Sequence, residues 1–132
     1  GTTMHLLSAM RAIQGHLWSV DIKYSHRAHR RAIAWGVMPY WTFTEACSWD
    51  WTPPEGLFDL AFIDGDHANV AKDWEKFEPL VRPGGILLLH DYIGPQSQGP
   101  RTLVDEVIRP QWQRWECATL PYSYGLTIVR KR

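Results

Sequence analysis

The chain has 132 residues, 45% of them hydrophobic and 21% charged, with 14 basic side chains against 14 acidic. That is the length and composition of one ordinary globular domain over residues 1–132, and it excludes a disordered chain and a membrane-spanning one, which needs an apolar run of roughly 20 residues. The balanced charge removes any global electrostatic pull towards nucleic acid or an anionic membrane, and Cys47 and Cys117, without CxxC spacing, read as free thiols in a reducing cytoplasm.

Leu6, Met10 and Ile13 recur at helical spacing and predict a short amphipathic helix ending near Gly15. Residues 16–21 (HLWSVD) read as a strand. Ser25 is a helix cap for a segment whose apolar line is Ala28, Ala32 and Trp35, with Gly36 as the stop signal. Residues 40–44 (YWTFT) are aromatic and β-branched and predict a second strand, followed by a loop marked by Pro53, Pro54 and Gly56. Residues 57–63 (LFDLAFI) form an apolar run of the kind expected for a strand buried on both faces of a parallel sheet.

Val70, Trp74, Phe77 and Val81 then follow helical spacing, and Arg82-Pro83-Gly84-Gly85 predicts a tight turn into the strand Ile86-Leu87-Leu88-Leu89. A helix is expected over 101–108 and a closing hairpin from 115–120 and 126–130, around Pro121 and Gly125. Alternating strands and helices make the class α/β with a mostly parallel sheet and a C-terminal antiparallel hairpin. Ligands of such sheets bind beyond the carboxyl ends of the strands, which directs attention to Asp21, residues 44–48, residues 64–67 and residues 90–92.

Asp21, at a strand end, is placed to accept hydrogen bonds from a ribose diol, although an aspartate there also serves as a helix cap. Asp64, Asp66, His67, His90 and Asp91 make a larger constellation, because two neighbouring parallel strands each end in carboxylate and imidazole. If they converge, Asp64 and Asp91 offer hard oxygen ligands to Mg²⁺, Ca²⁺ or Mn²⁺, with His90 as a further ligand, and a nearby histidine can take the proton of a metal-acidified hydroxyl. The competing reading is that Asp66 or His67 caps the next helix and His90 satisfies backbone groups.

Over residues 58–92 (FDLAFIDGDHANVAKDWEKFEPLVRPGGILLLHDY) the chain resembles class I S-adenosylmethionine-dependent methyltransferases of the small-molecule O-methyltransferase type. The resemblance implies a Rossmann-like, seven-stranded sheet with S-adenosylmethionine across the strand ends. It implies cofactor contacts at Gly1, Thr2 and Thr3, the tail of a glycine-rich loop, at Asp21 and Ile22 around the ribose, at Cys47 and Ser48 near the adenine, and at Asp64. It further implies a divalent cation, Mg²⁺ or another, on Asp64, Asp91 and His90, with His67 as base where similar catechol-type enzymes place a lysine. The first strand and the start of the glycine-rich loop of such proteins have no counterpart here, so a truncated chain, a reduced fold or a homo-oligomer completing the sheet is expected.

The predicted activity is methyl transfer to the oxygen of a small molecule, with no membrane partner. RNA is an alternative acceptor because His26, Arg27, His29, Arg30 and Arg31 crowd one helix, although a solvated basic face explains them too. A non-catalytic S-adenosylmethionine-binding module and a metal-dependent hydrolase are the rival readings.

Overall fold

The structure, a computed structural model, describes residues 2–122 and 124–132. Its contacts gather into two compact units, Gly1–Pro53 and Pro54–Arg132.

In the first unit, α1 (Thr2–Ile13) leads to β1 (Leu17–Asp21), and α2 (His26–Ala34) leads to β2 (Trp41–Glu45). The Ser25 hydroxyl starts α2 by accepting the Ala28 amide at 3.2 Å, and Gly36, at φ 64°, ends it in the left-handed conformation that glycine adopts without a Cβ penalty. The two strands pair in parallel from Leu17↔Trp41 to Asp21↔Glu45, so the two acidic residues stand side by side at the carboxyl ends. Met4, Leu7, Ala32, Val37 and Trp41 form the core between helices and strands.

The second unit runs β3 (Phe58–Ile63), α3 (Val70–Phe77), β4 (Val81–Leu89), α4 (Gln98–Thr102), β5 (Trp115–Leu120) and β6 (Leu126–Lys131). Its sheet has the order β3-β4-β6-β5, with β3 and β4 parallel and the remaining pairings antiparallel. Alternation along β4 turns Leu87 and Leu89 into a core completed by Ile63, Trp74, Leu103, Val104, Ile108, Trp115 and Val129. Trp74 of α3 meets Trp115 of β5 edge-on at 5.4 Å between ring centroids. Among the described residues no helix is long and apolar enough to cross a membrane.

Three elements differ from the sequence reading. β4 begins at Val81, before the proline-glycine run, which is a bulge inside the strand where the register jumps from Phe58↔Val81 to Leu60↔Ile86. Gly85 makes the bulge feasible, since a Cβ there would lie 2.6 Å from Val81 Cγ1 and 2.8 Å from the Arg82 carbonyl oxygen. β3 is not buried on both faces: Asp59 and Leu60 are exposed and only Ile63 is fully buried, because β3 pairs with β4 alone among the described residues. The helix expected over 101–108 starts earlier, at Gln98, and widens to i→i+5 bonding over Leu103–Ile108.

Candidate active site

β3 and β4 run in parallel and both deliver polar residues from their carboxyl ends. Asp64 follows β3, and His90 and Asp91 follow β4, tied across by the His90 amide donating to the Ile63 carbonyl at 3.3 Å. His67 reaches the same place from the turn between β3 and α3. There Asp66 is the cap: its carboxylate accepts the Ala68 amide at 3.0 Å and the Asn69 side-chain amide at 2.7 Å, which hold its carboxyl below the usual carboxylate range. The capping role belongs to Asp66, and His67 is left to face Asp91.

His67 Nε2 lies 2.6 Å from Asp91 Oδ2, and its Nδ1 lies 3.0 Å from Gln96 Oε1. His90 Nδ1 sits between the two carboxylates, 3.2 Å from Asp64 Oδ1 and 3.0 Å from Asp91 Oδ1, but misaligned with both, so this buried nitrogen makes no hydrogen bond. One ligand atom each from Asp64, His67 and Asp91 lie within 4.8 Å of one another. Desolvation raises the Asp64 carboxyl above its ordinary value, outweighing the pull of the His90 imidazole, as expected where negative charge gathers. Bond lengths of roughly 2.0–2.6 Å to hard cations match a donor set of this span, and an orphaned buried imidazole nitrogen aimed between two carboxylates is a ligand in want of a partner. The residues fit a divalent cation.

Asp91 holds its position at a conformational cost. Its φ is 61°, in the left-handed region that aspartate tolerates better than most residues but that still costs on the order of 1–3 kcal/mol. The next residue, Tyr92, shares in a polar network. Its hydroxyl donates to the Asp105 carboxylate at 2.9 Å and accepts from Arg109 at 3.0 Å, while Arg101 and Arg109 lie over its ring at 5.7 and 5.1 Å. Arg109 continues to the Thr119 hydroxyl at 3.1 Å, which meets that of buried Thr127 at 3.0 Å, so the end of β4 is tied to both hairpin strands. Burial pushes the nearby Cys117 thiol up, away from the thiolate a nucleophile would need.

The other predicted site residues belong to the first unit. Thr2 and Thr3 open α1, and Gly1 lies outside the described residues. Asp21 ends β1, where its carboxylate accepts the Lys23 amide at 3.0 Å and its carbonyl accepts the Ala46 amide at 3.0 Å. Ile22 beside it is 76% exposed. Cys47 begins a turn after β2 in which its carbonyl accepts the amides of Asp50 and Trp51, with Ser48 next in that turn. Sequence reasoning missed Gln96 and the Tyr92 partners, Asp105 and Arg109, which lie 29, 13 and 17 residues from the groups they bind and carry no local signal.

Similar folds are found among solved structures. An O-methyltransferase from Bacillus cereus in complex with SAH has a TM-score of 0.73 at 17% identity, over 89% of this chain and 63% of that one. The O-methyltransferase TomG from Streptomyces achromogenes, involved in tomaymycin synthesis and solved with SAM, has 0.73 at 16%, over 89% and 62%. Cofactor-bound Rv0187 from MTB has 0.78 at 17%, over 90% and 62%. At such identities the likeness is one of fold, and the chain spans about three fifths of the length of each of these three proteins. A comparison with curated proteins finds no match. The family described as a methyltransferase domain matches residues 1–92, more than half of the sequence. With its α/β sheet and its polar strand ends, the chain belongs to that methyltransferase domain family.

Proposed function

We propose that this chain carries out S-adenosylmethionine-dependent methyl transfer to an oxygen of a small molecule, assisted by a divalent cation. The observation that carries the reading is the convergence of Asp64, His67, His90 and Asp91 at the ends of two parallel strands in a methyltransferase-family chain. In this reading Thr2, Thr3, Asp21, Ile22, Cys47 and Ser48 of the first unit serve the cofactor, with Asp21 on the ribose. Asp64, Asp91 and the otherwise unpaired Nδ1 of His90 hold the cation. Bound there, Mg²⁺ or a similar ion would lower the pKa of a coordinated hydroxyl and orient it. The free thiols Cys47 and Cys117 suit a cytoplasmic setting.

The protein's own residues supply the proton chemistry. Asp91 Oδ2 accepts the His67 Nε2–H at 2.6 Å, which leaves Nδ1 to carry the lone pair once Gln96 Oε1 has moved off it. Gln96 Oε1 lies 3.0 Å from that nitrogen, and an acceptor hydroxyl that displaces it would donate its proton to Nδ1. S-adenosylmethionine, when bound, would supply an electrophilic methyl group on a sulfonium that becomes a neutral thioether, so no covalent enzyme intermediate would be required. Orienting the acceptor hydroxyl at His67 and Asp91 would supply further rate enhancement.

The test is methyl transfer from labelled S-adenosylmethionine to a panel of hydroxylated small molecules, with Mg²⁺ or with EDTA, for the wild-type chain and Asp64→Ala. Transfer that depends on both Mg²⁺ and Asp64 supports the assignment. Turnover unaffected by the substitution would overturn it.

A further inference from the structure

The whole chain is neutral, but its charge is unevenly spread. In the first 44 residues the one acidic side chain is Asp21, against Arg11, Lys23, Arg27, Arg30 and Arg31. Three of these arginines lie on α2, and the structure separates them from the histidines beside them. His29 turns towards Trp41 and Tyr24, at 6.4 and 5.6 Å between ring centroids, and His26 meets Tyr24 edge-on at 4.8 Å. Arg27, Arg30 and Arg31 are instead exposed, as is Ala34 on the same outward arc.

The helix gains nothing from these arginines. Arg27 and Arg31 are spaced i and i+4, and Arg27 and Arg30 i and i+3, so like charges stand on neighbouring turns and destabilise it. Arg27 also lies in the first turn, where the positive end of the helix dipole disfavours a cation and no acidic residue offsets it. Among the described residues, no carboxylate and no side-chain hydrogen bond engages Arg27 or Arg30. Arg31 lies over the ring of Trp35 at 5.9 Å. Trp35, 44% exposed, is held at the end of α2 by Arg11 of α1, whose guanidinium donates to its carbonyl at 2.9 Å. Three cations kept at a cost to the helix, beside an exposed and backbone-anchored indole, are the parts of a polyanion surface with a stacking platform.

We propose that this face of α2, with Trp35 at its end, docks single-stranded RNA: the guanidiniums neutralise phosphates and the indole stacks on a base. Arg27 to Arg31 spans about 6 Å along the helix axis, roughly two nucleotide steps of a stacked strand. Guanidinium groups suit phosphate oxygens as bidentate donors, and unpaired bases splayed onto aromatic or arginine planes are the ordinary form in which RNA is recognised. A lipid surface fits less well. The apolar side of α2, Ala28 and Ala32, is taken up by the core, and the outward arc carries no large apolar residue to insert, with Ile33 at its margin. Such docking needs neither the cation nor the methyl transfer proposed above, since all of its residues belong to the first unit.

The experiment is fluorescence anisotropy of a labelled single-stranded RNA of about 12 nucleotides, titrated with the full chain at salt from about 50 to 200 mM. For wild type, log Kd should rise against log salt with a slope of about 2, as expected for three phosphates of a single strand. The triple variant Arg27→Gln/Arg30→Gln/Arg31→Gln should bind about 10-fold or more weakly and lose the slope, with a melting temperature unchanged or raised because the like charges are gone. Arg30→Gln alone should lower the slope by about 0.7, and Trp35→Leu should weaken binding roughly 5-fold or more at an unchanged slope. No RNA binding by wild type, or affinity and slope unmoved in the triple variant, would overturn the docking surface. Single-stranded DNA of the same sequence bound more tightly than the RNA, or phosphatidylcholine-phosphatidylserine vesicles bound in preference to it, would overturn RNA as the occupant.

Discussion

Replacing Gly99 by alanine sets two effects against each other at a position that bears on the proposed reaction centre. Gly99 lies in α4 without a positive φ, so alanine fits its backbone and, by helix propensity alone, would stabilise it by about 1 kcal/mol. A Cβ at this position, however, would run into the His67 carbonyl, with the carbonyl carbon at 3.0 Å and the oxygen nearer still, and would touch Val70 Cγ1 at 3.5 Å. The obstructing group is backbone and cannot swing aside, so overpacking at about 1–3 kcal/mol outweighs the propensity gain. A net loss near 1 kcal/mol corresponds to a melting temperature lower by about 4–8 °C for a unit of this size. Relief requires the His67 peptide and α4 to separate by about 1 Å or more, which disturbs the 2.6 Å contact with Asp91. Misplacement of a catalytic group by about 1 Å costs on the order of 10²-fold, so methyl transfer should fall roughly 10- to 100-fold. Calorimetric melts and a methyl-transfer assay measure the two effects. A raised melting temperature with full activity would refute the argument.

Two further predictions concern stability. Asp66 has its folded pKa depressed by the hydrogen bonds from Asn69 and Ala68, so its contribution is present above the unfolded carboxylate value of about 3.9 and is lost as pH falls through the folded value. Asp66→Asn should flatten the decline of the urea midpoint below about pH 4, and an unaltered acid limb would count against the cap. Trp74, 6% exposed and edge-on to Trp115, should cost about 3–5 kcal/mol when replaced by alanine, measured by urea denaturation. A loss below about 1 kcal/mol would show that this core is not packed as described.

The order of elements was legible because it is written in local patterns. Ser25 and Gly36 bracket α2 as cap and stop, the line Val70, Trp74, Phe77 faces the core, and the hairpin around Pro121 and Gly125 closes the sheet. The polar strand ends at Asp64 and at His90-Asp91 were legible for the same reason, since an abrupt change from apolar to charged marks where a strand leaves the sheet. Features set by long-range packing were not. The residues 82–85 look like a turn in isolation, and only the neighbouring β3 backbone, with the Asp59 carbonyl oxygen 3.0 Å from a Gly85 Cβ, turns them into a bulge. Tyr92 carries no local signal of its role, and its partners Asp105 and Arg109, the latter bound on to the hairpin, make it an anchor. The positive φ of Asp91 and Tyr124 has no sequence signal in residues of those types.

The sheet order β3-β4-β6-β5 has a consequence for synthesis. β6, which follows β5 in sequence, occupies an interior place between β4 and β5, and the turn that fastens the residues after Asp91 immediately precedes it. While the chain emerges from the ribosome, β3, α3 and β4 can collapse early, but β4 keeps an unpaired edge until residues 126–131 are free to insert. Assembly of the carboxylate-imidazole cluster is therefore a late event, completed after translation of the hairpin, and a nascent chain stalled before it would carry the residues of the site without the means to hold them.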